Sequence, residues 1–269
     1  TSESENRKMT NSEIVLASKN ISCTIDPKHG GRVSSLIAFG RELIITRNGE
    51  TNLQKWGSYP MVPYAGRVRN GKFNFESKSH QLEINMAPHA IHGTVLDRAF
   101  SVTDLSPTSV TMNIDLGARF AFSGEVTQVI TVDDDAINFE LVLSTSEQKM
   151  PGQVGWHPWF ARPCRIEVDF EKMYVRDSVG IPTGETVSPP PPPYDDCFTG
   201  SRKKPRIIFD ESITVTIDSD CSHWVVYDET SHAICVEPQS GPPDGFNLDQ
   251  FIIEPSKPLK RFMRLSISK

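Results

Sequence analysis

Between residues 110 and 116 every second side chain is apolar: Val110, Met112, Ile114 and Leu116 alternate with Thr111, Asn113 and Asp115. A strand points successive side chains to opposite faces, so a period of two marks a ribbon buried on one side and wet on the other. Ile137, Phe139, Leu141 and Leu143 repeat the pattern, as do Ile213, Val215 and Ile217. Shorter β-rich runs cover 13–18, 20–26, 33–39, 73–76, 81–85, 224–227 and 233–236, most of them separated by clusters of Gly, Pro, Asn, Asp or Ser. No window of a dozen residues has the 3.6 period of an amphipathic helix. Many short strands and few helices predict an all-β chain, folded as one large antiparallel sandwich. A single domain over 13–269 is expected behind a polar, disordered lead-in over 1–12.

Composition removes several classes of function. The formal net charge of -6 argues against a surface that tracks nucleic-acid phosphates. No apolar run approaches the ~18 residues of a membrane span. Cys23, Cys164, Cys197, Cys221 and Cys235 are odd in number and contain no CxxC pair. That fits neither a disulfide framework nor a thiolate zinc site, so reduced thiols in a cytoplasmic protein are expected. His89 and His92 lie three apart with no third ligand nearby, and no metal site is predicted from them. Signatures for nucleotides, serine hydrolysis and zinc proteolysis (GxGxxG, GxxxxGK, GxSxG, HExxH) are absent from the sequence. Five consecutive prolines, 189–193, stiffen the backbone into a polyproline II rod. In mid-chain this reads as a rigid loop that delivers Tyr194 and Asp195 to a fixed place, or as a ligand for an SH3-type partner.

Four stretches set ionisable or aromatic residues among Gly and Pro. PYAGRVRNGKF places Arg67 after Gly66, HAIHGTVLDRAF sets His92 before Gly93, GWHPWFARP holds His157 between Trp156 and Trp159, and AICVEPQSGPPDGFN ends an apolar run at Glu237. Taken singly, each residue is as well explained by a solvated or structural role. As a set they supply an imidazole, a carboxylate, a guanidinium and aromatic faces, with no activated Ser or Cys nucleophile. That inventory suits proton transfer on a neutral polyhydroxylated ligand: His and Glu exchange protons, Arg orients hydroxyls, and an indole packs on a sugar's C–H face.

AGRVRNGKF, the HG of IHGT, HPWF, YDDCF after the prolines, and EPQ with the later PDGFN occur in an order that resembles the aldose 1-epimerase (galactose mutarotase) family. The resemblance implies a β-supersandwich that interconverts the α and β anomers of a free aldose, such as glucose or galactose, with no metal or organic cofactor. It implies that Glu237 is the base on the anomeric hydroxyl and that His157 protonates the ring oxygen. Arg67, His92 and Asp195 then fall on positions that bind the sugar, with Asp196 the alternative to Asp195 and Gln239 completing the EPQ motif. Trp156 or Trp159 would wall the sugar, while Pro158 restrains the backbone that carries His157. Gly66, Thr94 and Trp159 stand where the family often has Asn, Gly and Tyr, so the preferred monosaccharide does not carry over. A related branch acts on hexose 6-phosphates and needs further cations, for which Arg69, Arg162 and Arg165 are candidates. A sandwich that binds carbohydrate without turnover is the remaining alternative.

Overall fold

The computed structural model describes residues 13–210 and 212–269; the lead-in over 1–12 lies outside the described residues. Two large antiparallel sheets dominate. The larger has eleven strands, and ten of them run in the spatial order Ile14–Ala17, Ile21–Asp26, Arg32–Ala38, Ser58–Met61, Gly155–Ala161, Ala233–Gln239, His223–Tyr227, Asp195–Ser201, Phe170–Arg176 and Pro182–Val187. The second has eight strands and contains the three clearest alternating segments, in Ser109–Asp115, Ala136–Ser144 and Ile213–Ser219. Val110, Met112, Phe139, Leu141, Val215 and Ile217 are buried there in the core shared by the two sheets. The all-β sandwich read from the sequence is the fold observed.

The centre of the larger sheet obeys a different rule. Its strands Ser58–Met61 and Ala233–Gln239 are buried along their whole length, and Gly155–Ala161 at all but its last residue. One face packs on the other sheet and the opposite face is roofed by loops, so the hydropathy alternation vanishes while the alternation of direction remains. In Gly155–Ala161, hereafter the histidine strand, Trp156 and Phe160 enter the core between the sheets, whereas His157 and Trp159 point the other way, into a cavity. Ala233–Gln239, the glutamate strand, divides likewise: Ile234 and Val236 join the core, and Glu237 and Gln239 line the cavity.

This parity corrects the reading of Trp156 as a sugar wall. Trp156 is fully buried, with its ring 6.4 Å from Phe139 of the facing sheet. Trp156→Ala is therefore expected to cost about 3–5 kcal/mol of stability while leaving KM for a sugar unchanged. Denaturant midpoints and initial rates on the same sample check this, and a raised KM with intact stability would contradict it.

One other expectation shifts. The run 81–85 is not a strand: pairing stops at Gln81, in a hairpin of Lys72–Phe75 with Lys78–Gln81. Beyond it Asn85 accepts from the N–H of Ile91 at 2.7 Å and donates to its carbonyl at 3.0 Å, turning the chain back toward the cavity. The α-helical content among the described residues is one turn, Gly245–Leu248.

Candidate active site

Strand register brings the two proposed proton carriers together. Gly155 pairs with Gln239 and Trp159 with Cys235, which sets His157 opposite Glu237 across neighbouring antiparallel strands. On its other side His157 pairs with Tyr59, and Glu237 pairs with Val225. Gly155 is required by this packing: a Cβ there would lie 2.8 Å from the Pro238 carbonyl oxygen and 3.1 Å from Gln239.

His157 Nε2 lies 3.3 Å from Glu237 Oε1, and both side chains are almost wholly buried. Two rings stack on the imidazole, Tyr59 at 4.9 Å and 21° and Trp159 at 5.1 Å and 22°. Trp159 is itself anchored, its indole N–H donating to the Gln54 carbonyl at 2.9 Å. Both ring systems are tied to one carbonyl, since the Tyr59 hydroxyl also donates to Gln54 at 3.0 Å, and their stacking limits the rotation of the imidazole that meets Glu237. Glu237 Oε2 accepts from Gln239 Nε2 at 3.2 Å. Burial, then the nearby Asp195 charge, raises the Glu237 carboxyl well above its usual range, and burial pulls His157 down to about 3. Both shifts disfavour charge, so the resting pair favours a protonated carboxyl beside a neutral imidazole, with one titrating proton between them.

His92 meets this pair from the roof. Its ring is 5.0 Å from that of His157 and nearly perpendicular to it. His92 Nδ1 accepts from the Gly66 N–H at 3.3 Å, while the His92 N–H donates to the Gly66 carbonyl at 3.1 Å. An accepting Nδ1 sets the tautomer, so Nε2 carries the hydrogen and is free to donate to a ligand. Burial holds the ring neutral, far below its ordinary pKa. The backbone at His92 is left-handed, φ 60°, and Gly93 follows with φ 85°. Arg67 pairs with Ile91 beside this turn and lines the same cavity, half-buried. His89 lies elsewhere: its Nδ1 accepts from the Asn70 N–H at 3.1 Å.

Asp195 enters from the Asp195–Ser201 strand, two places across the sheet from the glutamate strand. Arg176 clamps it, with Nη1 3.1 Å from Asp195 Oδ2 and Nε 2.8 Å from Asp196 Oδ1. Both aspartates line the cavity, but Asp196 Oδ2 accepts its neighbour's backbone N–H at 3.1 Å, whereas the Asp195 charge is the one felt by Glu237. The proline segment delivers its two residues to different places. The Tyr194 hydroxyl donates to the Pro190 carbonyl at 2.6 Å and its ring packs on Phe198 in the core, leaving Asp195 to the cavity.

The cavity holds about 430 Å³ and gathers Arg67, His92, His157, Trp159, Asp195, Glu237 and Gln239. The cations proposed for a phosphate are placed otherwise. Arg69 bonds Asp177 and approaches Asp244, Arg162 donates to the Thr230, Cys164 and Asp228 carbonyls, and Arg165 pairs with Glu167 at 2.6 Å. None of the three lines the cavity. Sequence reasoning missed Tyr59, Arg176 and Arg32. Arg32 is fully buried, donates to the His29, Leu53, Trp56 and Leu96 carbonyls, and lies with Cζ 4.9 Å over the Tyr59 ring. Only the run 33–39 that follows it was legible as a strand, and a charge just before such a run carries no sign of this role.

Three histidines, His92 and His157 buried and His223 half-buried, give the fold a measurable pH dependence. His157 is pulled down to about 3, His223 to about 4 and His92 well below 6.5, each chiefly by burial. Between 6.5 and those values the unfolded chain binds protons that the fold refuses, so stability falls as pH drops through this window. Glu237 acts in the opposite sense, because its raised carboxyl adds stability at low pH that is lost as pH rises through its folded value. Three against one, the urea midpoint should decline from pH 7 to pH 4.5; a flat profile would contradict the burial of neutral imidazoles.

Known proteins share this architecture. A galactose mutarotase-like protein from Clostridium acetobutylicum superposes with a TM-score of 0.85, at 18% identity over 96% of this chain and 95% of that one. Galactose 1-epimerase from Lactobacillus acidophilus NCFM gives 0.81, at 14% identity over 95% of this chain and 94% of that one. In sequence, the uncharacterized protein YihR of Escherichia coli K12 is 24% identical, the match covering 88% of this chain and 87% of YihR. The family model described as aldose 1-epimerase matches residues 12–261, nearly the whole length, and the chain belongs to that family.

Proposed function

We propose that the protein interconverts the α and β anomers of a free aldose by acid/base ring opening at Glu237 and His157. The observation that carries this is the 3.3 Å pairing of these two groups, buried in one cavity. Anomer exchange needs a base and an acid acting on two oxygens of the same carbon, which a cross-strand pair at this spacing supplies. Ring opening starts from the charged arrangement of the pair, Glu237 carboxylate and His157 imidazolium, which holds the same single proton as the resting one. Glu237 takes the proton of the anomeric hydroxyl, and the O–H electrons form the C1 carbonyl. The C1–O5 bond breaks, with its electrons on O5, and His157 protonates that oxygen. Rotation about C1–C2 turns the other carbonyl face to O5; His157 then takes back the O5 proton while Glu237 returns one to O1.

The remaining groups serve this step. The π faces of Tyr59 and Trp159 favour the imidazolium as it forms. Arg67 and the Nε2–H of His92 donate to sugar oxygens, and Asp195 accepts from hydroxyls. Because the working pair holds one proton, kcat/KM is expected to trace a bell against pH, lost on the acid side by a second proton and on the alkaline side by loss of the first. A rate rising or falling monotonically across the accessible range would count against it. Polarimetry on freshly dissolved α-glucose or α-galactose tests the function itself: mutarotation should outpace the buffer rate. If common aldoses and their 6-phosphates all equilibrate at the buffer rate, the protein is not a mutarotase.

A further inference from the structure

Cys235 takes no part in the proton transfers, yet it lies on the glutamate strand two residues from Glu237, on the same face of the sheet, and is fully buried. The cross-strand partner of Glu237 supplies the third vertex of a triangle. A ring nitrogen of His157, Cys235 Sγ and one Glu237 carboxylate oxygen all lie within 4.8 Å of one another, and Nε2 is the nitrogen that faces Glu237, at 3.3 Å. We propose that these three side chains form a binding site for a soft divalent cation such as Zn²⁺, and that the cation reversibly shuts down anomer exchange. The inhibitory half of this rests on the acid/base reading above.

The geometry follows from the sheet. Residues i and i+2 of one strand and the facing residue of its neighbour project from one surface, a rigid base for three convergent ligands. Zinc takes nitrogen, sulfur and oxygen at roughly 2.0–2.3 Å, so the three donors must close by about 1 Å, a side-chain adjustment. The chemistry of the set is selective. A thiolate and an imidazole with one carboxylate suit Zn²⁺ or Co²⁺, whereas Mg²⁺ and Ca²⁺ demand oxygen-rich shells. Charge also balances: the neutral imidazole offers a ring nitrogen, the thiol and the carboxyl each release a proton to solvent, and the two anions neutralise the cation. His157 and Glu237 line the cavity and Cys235 lies buried behind them, so water or a sugar hydroxyl reaches such a cation from the cavity side. A cation there occupies the lone pair of His157 and a carboxylate oxygen of Glu237, so neither can carry a proton.

The test uses the full chain with ZnCl2 and CoCl2. Zn²⁺ should inhibit mutarotation competitively with sugar and be reversed by EDTA, while MgCl2 at equal concentration has no effect. Co²⁺ should produce the thiolate-to-cobalt charge-transfer band in the near ultraviolet. Cys235→Ala should keep the metal-free rate, lose the cobalt band, and raise the half-inhibiting Zn²⁺ concentration by at least about tenfold. Cys235→Ser serves as the second variant should the alanine protein not fold. Equal zinc sensitivity in the variant, or no charge-transfer band in the wild type, would overturn the site. A cobalt band in a wild type that never accelerates mutarotation would leave the cation site standing and remove the proposed function instead.

Discussion

Glu237→Gln is expected to lower catalysed mutarotation by about 10²–10⁴-fold, and His157→Asn by a similar factor. The amide of Gln keeps the shape of the carboxyl and its contact with Gln239, but it cannot take the anomeric proton. Asn removes the ring that stacks on Tyr59 and Trp159 at 4.9 and 5.1 Å, and with it the acid for the ring oxygen. Both protons move in one cycle, so the double variant should fall little below the worse single one, since removing either carrier already breaks the relay. Polarimetry from a pure α anomer gives the rates, and calorimetry on the Gln variant should still register sugar binding. Retention of half the wild-type turnover by either single variant would dismiss the pair as the proton carriers.

Gly93→Ala is expected to destabilise the protein by at least about 3 kcal/mol, or to prevent its accumulation in folded form. Gly93 sits at φ 85°, and a Cβ there would lie 2.0 Å from the carbonyl oxygen of Val62 and 2.5 Å from its carbonyl carbon. That carbonyl accepts the Thr94 N–H at 2.9 Å, so the obstacle is pinned backbone rather than a side chain that swings away. Gly40 is the control: its φ is 81° but nothing lies within 4 Å of its Cβ position. Gly40→Ala should cost only the left-handed backbone term, about 1–2 kcal/mol. Thermal midpoints for the two variants separate steric conflict from backbone preference, and a Gly93 variant as stable as the Gly40 one would refute the close approach. If the Gly93 variant folds, displacement of the neighbouring His92 should also weaken sugar binding.

The outer strands were legible because each has one wet face. Val110, Met112 and Ile114 alternate with polar neighbours because water meets every second side chain, and hydropathy records that directly. The histidine and glutamate strands carry no such mark, since packing on one side and the cavity roof on the other bury both faces. Their periodicity is one of direction alone, which no residue-by-residue hydropathy reveals; hence the sequence offers Trp156 and Trp159 alike as a wall, although Trp156 fills the core. The run 81–85 misled for the converse reason. Leu82 and Ile84 alternate with polar residues, but hydrogen bonds from the Asn85 side chain bend the chain away before it can pair.

Residue types and local backbone needs were therefore written in the chain itself: an all-β sandwich, a glycine after His92, a proline after His157, and one family's motifs in order. Which side chains meet was decided only by register between strands distant in sequence. Antiparallel pairing of Gly155 with Gln239 and Trp159 with Cys235 is what carries His157 to Glu237. A slip of one residue would turn either side chain into the opposite face of the sheet, because direction alternates at every position along a strand. Proton affinity was likewise out of reach of the sequence: the same carboxyl and imidazole would titrate normally in water, and it is enclosure by both sheet and roof that moves them.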